Sequence, residues 1–190
     1  VCGWGGGGGK GSAQELFQAV SFILILILIL YYLLFSISTT NNNNKLSHIT
    51  LNIVSLHKRW SIDATDAKAM PNTLLYTSYM TRIVSTRPIA EGLAVLLPCF
   101  WVYMHVGKCM LRLRDELELQ SDTQNKRPPQ FDAWIDMYGG DEFEKEVKEY
   151  IVIVDDAAKD NAEDGEMIKS MEEHFIMSCK LEHMFWDQAQ

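Results

Sequence analysis

Positive charge is scarce in this 190-residue chain. Lysine and arginine number 17 against 25 aspartates and glutamates, for a net charge of −8. A nucleic-acid groove needs clustered bases to displace counterions, and no such cluster occurs, so a nucleic-acid partner is excluded. The excess acid reads instead as a solvated helical surface. Before Ser61 the only acid is Glu15, so that surface falls almost wholly after it. Cysteine is sparse too. Cys2, Cys99, Cys109 and Cys179 contain no CxxC pair and no zinc spacing, which argues against both a zinc site and a disulfide framework. A chain of this length can bury a core without cross-links, so reduced thiols and a cytoplasmic setting are expected. Cys109 and Cys179 are read as small buried hydrophobes. His105, His174 and His183 form no convincing ligand pair with a carboxylate at helical spacing. They are expected at the surface or satisfied by a neighbour, and no metal is expected. Gly9-Lys10-Gly11-Ser12 has a superficial likeness to a phosphate loop but precedes no βαβ unit, and is set aside.

What is present divides the chain in two. Residues 1–65 are compositionally odd: a glycine run at Gly5–Gly9, strict Ile/Leu alternation from Ile23 to Leu30, and an asparagine run at Asn41–Asn44. Low-complexity tracts of this kind give no specific surface for packing. Within them, residues 19–37 are nearly free of charge and about as long as a bilayer-spanning helix requires. Lys10 and Lys45 barely orient such a span. Three readings stand: a membrane anchor, a buried helix, and, preferred, the translation of non-coding DNA in a mistaken gene prediction. Contact with a membrane is expected only through 19–37.

Residues 66–190 read as helical throughout. Leu74, Leu75, Tyr79 and Ile83 lie at helical spacing between Thr73 and Ser85. A long helix is expected from Pro88 to about Leu119. It is apolar on most faces in its first half and so central and buried, with a kink at Pro98. Residues 121–129 read as a loop, followed by a short helix over 130–138. Gly139-Gly140 breaks the chain and Asp141 is expected to cap the next helix, whose stripe is Phe143, Val147, Tyr150, Val154 and Ala158. Asp164-Gly165 precedes the last helix. Its face carries Met167, Met171, Phe175, Ser178, Glu182, Phe185 and Ala189. A carboxyl within an apolar stripe is costly unless it is paired or used.

Chemistry concentrates in two stretches, Leu96-Leu97-Pro98-Cys99-Phe100-Trp101-Val102-Tyr103 and Ser178-Cys179-Lys180-Leu181-Glu182-His183-Met184-Phe185-Trp186. Cys99 and Tyr103 share one helix face, and Glu182 and Phe185 share another. A thiol, a phenol, a carboxyl and a ring could line one pocket and act by nucleophilic attack on a flat aromatic substrate.

Together with Leu75-Tyr76-Thr77-Ser78-Tyr79-Met80, Gly107, Trp134-Ile135-Asp136-x-Tyr138 and Phe143, these stretches give residues 71–189 a resemblance to the thiaminase II (TenA-type) family. The resemblance covers the last two-thirds of the chain and nothing before it. It implies an all-α, haem-oxygenase-like helical bundle over 66–190, with the family's N-terminal helices missing or replaced. It also implies an aminopyrimidine hydrolase acting in thiamine salvage, with a small pyrimidine as partner and no cofactor. In that scheme Cys99 attacks an electron-poor ring carbon, and Glu182 protonates a ring nitrogen and later takes the proton back. Tyr76 and Tyr103 steady the sulfur, while Tyr138 and Phe185 wall the ring. The family commonly forms symmetric assemblies, so a homo-oligomer is expected where the altered start leaves that interface intact. Its N-terminal helices also carry a substrate-binding aspartate, for which Asp63 and Asp66 lie too close to the Tyr76 helix. That departure keeps an alternative open: a catalytically inactive pyrimidine-binding or scaffolding helical protein, membrane-anchored if 19–37 is an anchor.

Overall fold

The computed structural model of the chain describes residues 69–120 and 129–187. The tract over 1–65, with its 19–37 span, lies outside the described residues, as do Asp63 and Asp66 and all of the expected loop over 121–129 except Pro129, which instead opens a helix. Among the described residues all regular structure is helical: α1 (Pro71–Thr86), α2 (Ile89–Gln120), α3 (Pro129–Gly139), α4 (Asp141–Asp160) and α5 (Gly165–Asp187). The chain divides into two compact units, one of Tyr79–Glu182 and one of Val1–Ser78 with His183–Gln190.

In the first of these units α2 is the central element. It packs on α3 and α4, which also touch each other. Every position from Ala90 to Cys99 is buried, as its all-round apolar sequence requires. By length and composition Ile89–Leu117 could cross a membrane, but most of that window is buried inside the protein. Such a helix is a core element here. It runs unbroken through Pro98.

α4 presents Phe143, Val147, Tyr150 and Val154 inward, as the periodicity predicts, while Ala158 at the end of that stripe is only part-buried. Burying side chains of this size stabilises by about 1.5–3 kcal/mol each. The Tyr150 hydroxyl also donates to the Leu93 carbonyl of α2 at 3.0 Å. At the rim, Lys108 reaches Glu144 at 2.6 Å and Asp141 at 3.1 Å. Lys108, with Lys148 on the other side, holds the Glu144 carboxyl down to about 2. Asp141 does not cap α4: Gly140 stands at the N-cap without a side-chain bond, and Asp141, Glu142 and Glu144 fill the first turn. There their charge opposes the positive end of the helix dipole without any capping contact. Asp164 does serve as a cap for α5, accepting from the Met167 amide at 3.0 Å.

Two expectations fail on packing. In α1 the inward residues are Thr73, Tyr76, Thr77, Met80 and Ile83, whereas Leu74 and Leu75 are about half exposed. Thr77 can go inside because its hydroxyl donates to the Thr73 carbonyl at 2.8 Å, which satisfies it within its own helix. Cys109 and Cys179 are only partly buried. Cys109 lies 3.7 Å from His105 Nε2 and accepts from Arg112 at 3.3 Å, on the outer part of α2.

Candidate active site

Cys99 sits at the end of the buried run of α2, one turn before Tyr103. Helical rise places both side chains on the same face, and both are fully buried. Tyr138 comes from α3. It is held there by a close helix crossing in which the backbone of Gly107 in α2 meets that of Tyr138 and Gly139. A Cβ on Gly107 would lie 2.6 Å from the Gly139 nitrogen, and one on Gly139 would lie 2.7 Å from the Gly107 oxygen. Only glycine allows that approach. The Tyr103 and Tyr138 rings then meet at 5.3 Å, tilted by 60°. Trp134 and Phe143 complete the aromatic wall, at 4.8 and 5.1 Å from Tyr138.

Glu182 arrives from α5 with 2% of its surface exposed, and its carboxyl lies close enough to the Cys99 thiol to act on its charge. Burial pushes that thiol well above its ordinary range, and the neighbouring carboxylate pushes it further. The Tyr103 phenol is raised by burial, then by Glu182, Cys99 and Tyr138. The Tyr138 phenol is raised by burial and then by Cys99. Its hydroxyl is buried and has no hydrogen-bond partner among the described residues. A buried hydroxyl left open is costly, and such groups recur where a ligand supplies the missing bond.

The raised thiol also affects stability. Unfolded, it ionises near its ordinary value of about 8.5. Folded, it stays protonated to higher pH. Its contribution is therefore complete below about pH 8.5 and is lost as pH rises through the folded value, because only the unfolded chain releases the proton. Thermal unfolding followed from pH 7 to 10 is expected to show a falling Tm above about 8.5. In Cys99→Ala that fall should be shallower.

Of the six residues singled out by sequence, the structure brings Cys99, Glu182, Tyr103 and Tyr138 together. Tyr76, in α1, and Phe185, in the last turn of α5, are fully buried in the other unit. There Phe185 meets Trp186 at 6.1 Å, nearly perpendicular. His174 is part-buried: its Nδ1 hydrogen-bonds the Tyr79 hydroxyl of α1 at 2.7 Å, and its Nε2 stands 2.7 Å from the Glu91 carboxylate of α2 at ion-pair distance. His183 pairs with Asp187 at 3.5 Å. Trp134 as a wall was also missed, although its spacing of four from Tyr138 on one helix was available.

A family model described as TENA/THI-4/PQQC matches residues 37–190. The match begins well before Pro71, so the resemblance reaches further back than the quoted motifs. The chain is 36% identical over 122 residues to an aminopyrimidine aminohydrolase of Bacillus subtilis, covering 64% of this chain and 46% of that protein. It is 31% identical over 153 residues to an aminopyrimidine aminohydrolase of Halalkalibacterium halodurans, covering 76% of this chain and 63% of that one. It therefore spans about half to two-thirds of the length of these relatives. The X-ray structure of a TenA homologue from Pyrococcus furiosus superposes with a TM-score of 0.75 at 16% identity, covering 96% of this chain and 85% of that one. The fold is thus the haem-oxygenase-like one.

Proposed function

This chain belongs to the TENA/THI-4/PQQC family, and from that membership and its buried thiol–carboxylate pair we propose that it is an aminopyrimidine hydrolase acting on thiamine or its breakdown products. The observation that carries the proposal is the burial of Cys99 and Glu182 beside each other, against the rings of Tyr103 and Tyr138. Burial and the neighbouring carboxylate favour the protonated thiol, so the sulfur becomes nucleophilic as its proton leaves. The Glu182 carboxylate is in place to take that proton while sulfur bonds to an electron-poor ring carbon. It then hands the proton to a ring nitrogen, which accepts the electron pair that the addition displaces. Return of electrons from the ring expels the amine or thiazole group. Water replaces that group, and elimination of sulfur regenerates the thiol, whose proton comes back through Glu182.

Tyr103 lies beside both groups and donates toward the developing charge. Tyr138, Trp134 and Phe143 offer flat faces to a planar heterocycle, and the open Tyr138 hydroxyl offers it a hydrogen bond. A nucleophilic thiol suits a reducing compartment, so the reaction is placed in the cytoplasm.

The test is incubation of the purified protein with thiamine and with an aminomethyl-pyrimidine, following release of hydroxymethyl-pyrimidine. Turnover is expected with at least one of them. Glu182→Gln keeps the shape but removes the base, and is expected to lower kcat by about 10²–10⁴-fold. Calorimetric binding of the pyrimidine with no product formed would favour the inactive binding protein instead.

A further inference from the structure

Two turns before Cys99, α2 carries a second buried carboxylate that the proposed reaction leaves unused. Glu91 is 3% exposed. One of its oxygens, Oε2, accepts from Arg87 Nε at 2.9 Å and from Ser170 Oγ at 2.9 Å, and His174 Nε2 stands 2.7 Å from the same atom. His174 Nδ1 is 2.7 Å from the Tyr79 hydroxyl. Burial alone would raise the Glu91 carboxyl, but the bonds from Arg87, Ser170 and His174 outweigh it and hold the group below its usual range.

These contacts are the first rungs of a ladder. On α5, Ser170, His174, Ser178 and Glu182 recur at every fourth position; on α2, Glu91, Val95 and Cys99 do the same. Ser170 and His174 meet Glu91, Ser178 donates to the Val95 carbonyl at 2.7 Å, and Glu182 meets Cys99. Both series advance together, so α2 and α5 run parallel here, with one polar rung per helical turn of about 5.4 Å. Apolar ridges repeat with nearly the same period and discriminate poorly between registers a turn apart. A buried charge does discriminate, because a slip by one turn would carry Glu91 away from its donors and leave it uncompensated.

We propose that Glu91 is a positioning residue: by gripping Ser170 and His174 it fixes the register of α5 along α2, and with it the meeting of Glu182 with Cys99. The kinetic consequence rests on the hydrolase reading above, whereas the register itself does not. Two measurements therefore test it. The first is the rate of Cys99 alkylation by iodoacetamide, read on its own peptide by mass spectrometry. The second is kcat and KM on the aminopyrimidine. Tyr150→Phe is the control, since it removes a buried bond to the Leu93 carbonyl of the same helix from a residue of α4.

Glu91→Ala is expected to alkylate several-fold faster than wild type and to lose about 10²-fold in kcat with little change in KM, the effect of misplacing a reacting group by about 1 Å. Glu91→Gln, whose amide oxygen can accept the same donors, should restore most of both. Tyr150→Phe should lower the Tm and change neither. If Glu91→Ala fails to fold, His174→Ala removes one rung and should shift both readouts in the same direction. Alkylation and kcat in Glu91→Ala equal to those of Tyr150→Phe would overturn the proposal. A wild-type protein without turnover would defeat the hydrolase reading instead, and the alkylation comparison would still decide the register.

Discussion

Cys99→Ala is expected to reduce kcat on an aminopyrimidine by at least about 10³-fold, the scale on which a covalent nucleophile is missed. The argument is local. Among the described residues Cys99 is the one fully buried thiol: Cys179 on α5 is only partly buried, and Cys109 stands nearly two turns beyond Tyr103 on a partly exposed part of the helix. Cys99→Ser tests the same point with nearly the same volume. Its hydroxyl is a far weaker acid than a thiol that burial already keeps protonated, so Glu182 would face a harder proton transfer and turnover should stay close to that of the alanine variant. Substrate binding should survive in both, because the walls come from Tyr103, Tyr138, Trp134 and Phe143. Product formation at the wild-type rate in either variant would remove Cys99 from the chemistry.

Gly107→Ala should be strongly destabilising. The new carbon would strike the backbone of Tyr138 and Gly139, with no flexible side chain to swing aside. Overpacking against backbone costs about 3 kcal/mol. For a chain of this size that corresponds to a fall in Tm of roughly 6–12 °C. Because the displaced backbone belongs to Tyr138, kcat/KM per folded molecule should fall as well. An alanine variant that melts with the wild type would show that α2 and α3 do not cross as closely as described.

Much of this was legible before the structure. Spacing alone gives the buried Phe143, Val147, Tyr150 and Val154 of α4 and Met171, Ser178, Glu182 and Phe185 of α5, while Ala189 lies outside the described residues; the buried run of α2 follows from its all-round apolarity. A carboxyl within an apolar stripe singled out Glu182, and the quoted motifs supplied its partner Cys99. What stayed hidden was of two kinds. In α1, counting apolar residues favoured Leu74 and Leu75 over Thr73 and Thr77. Pattern cannot show that a threonine hydroxyl is satisfied by its own helix and can go inside like a valine. The Glu91–His174 contact joins positions 83 residues apart on different helices. A search for partners at helical spacing along one helix cannot find it. The open hydroxyl of Tyr138 is likewise a property of what surrounds it.

From Ala90 to Cys99, α2 turns nearly three times without presenting a single residue to solvent. A segment of that kind has no neutral side. Elsewhere in the protein sequence drift can be absorbed by an outward face, but in these ten positions a change must conserve volume or be matched by a change in a neighbouring helix. The sulfur thus stands at the end of a stretch whose history is tied to that of its neighbours.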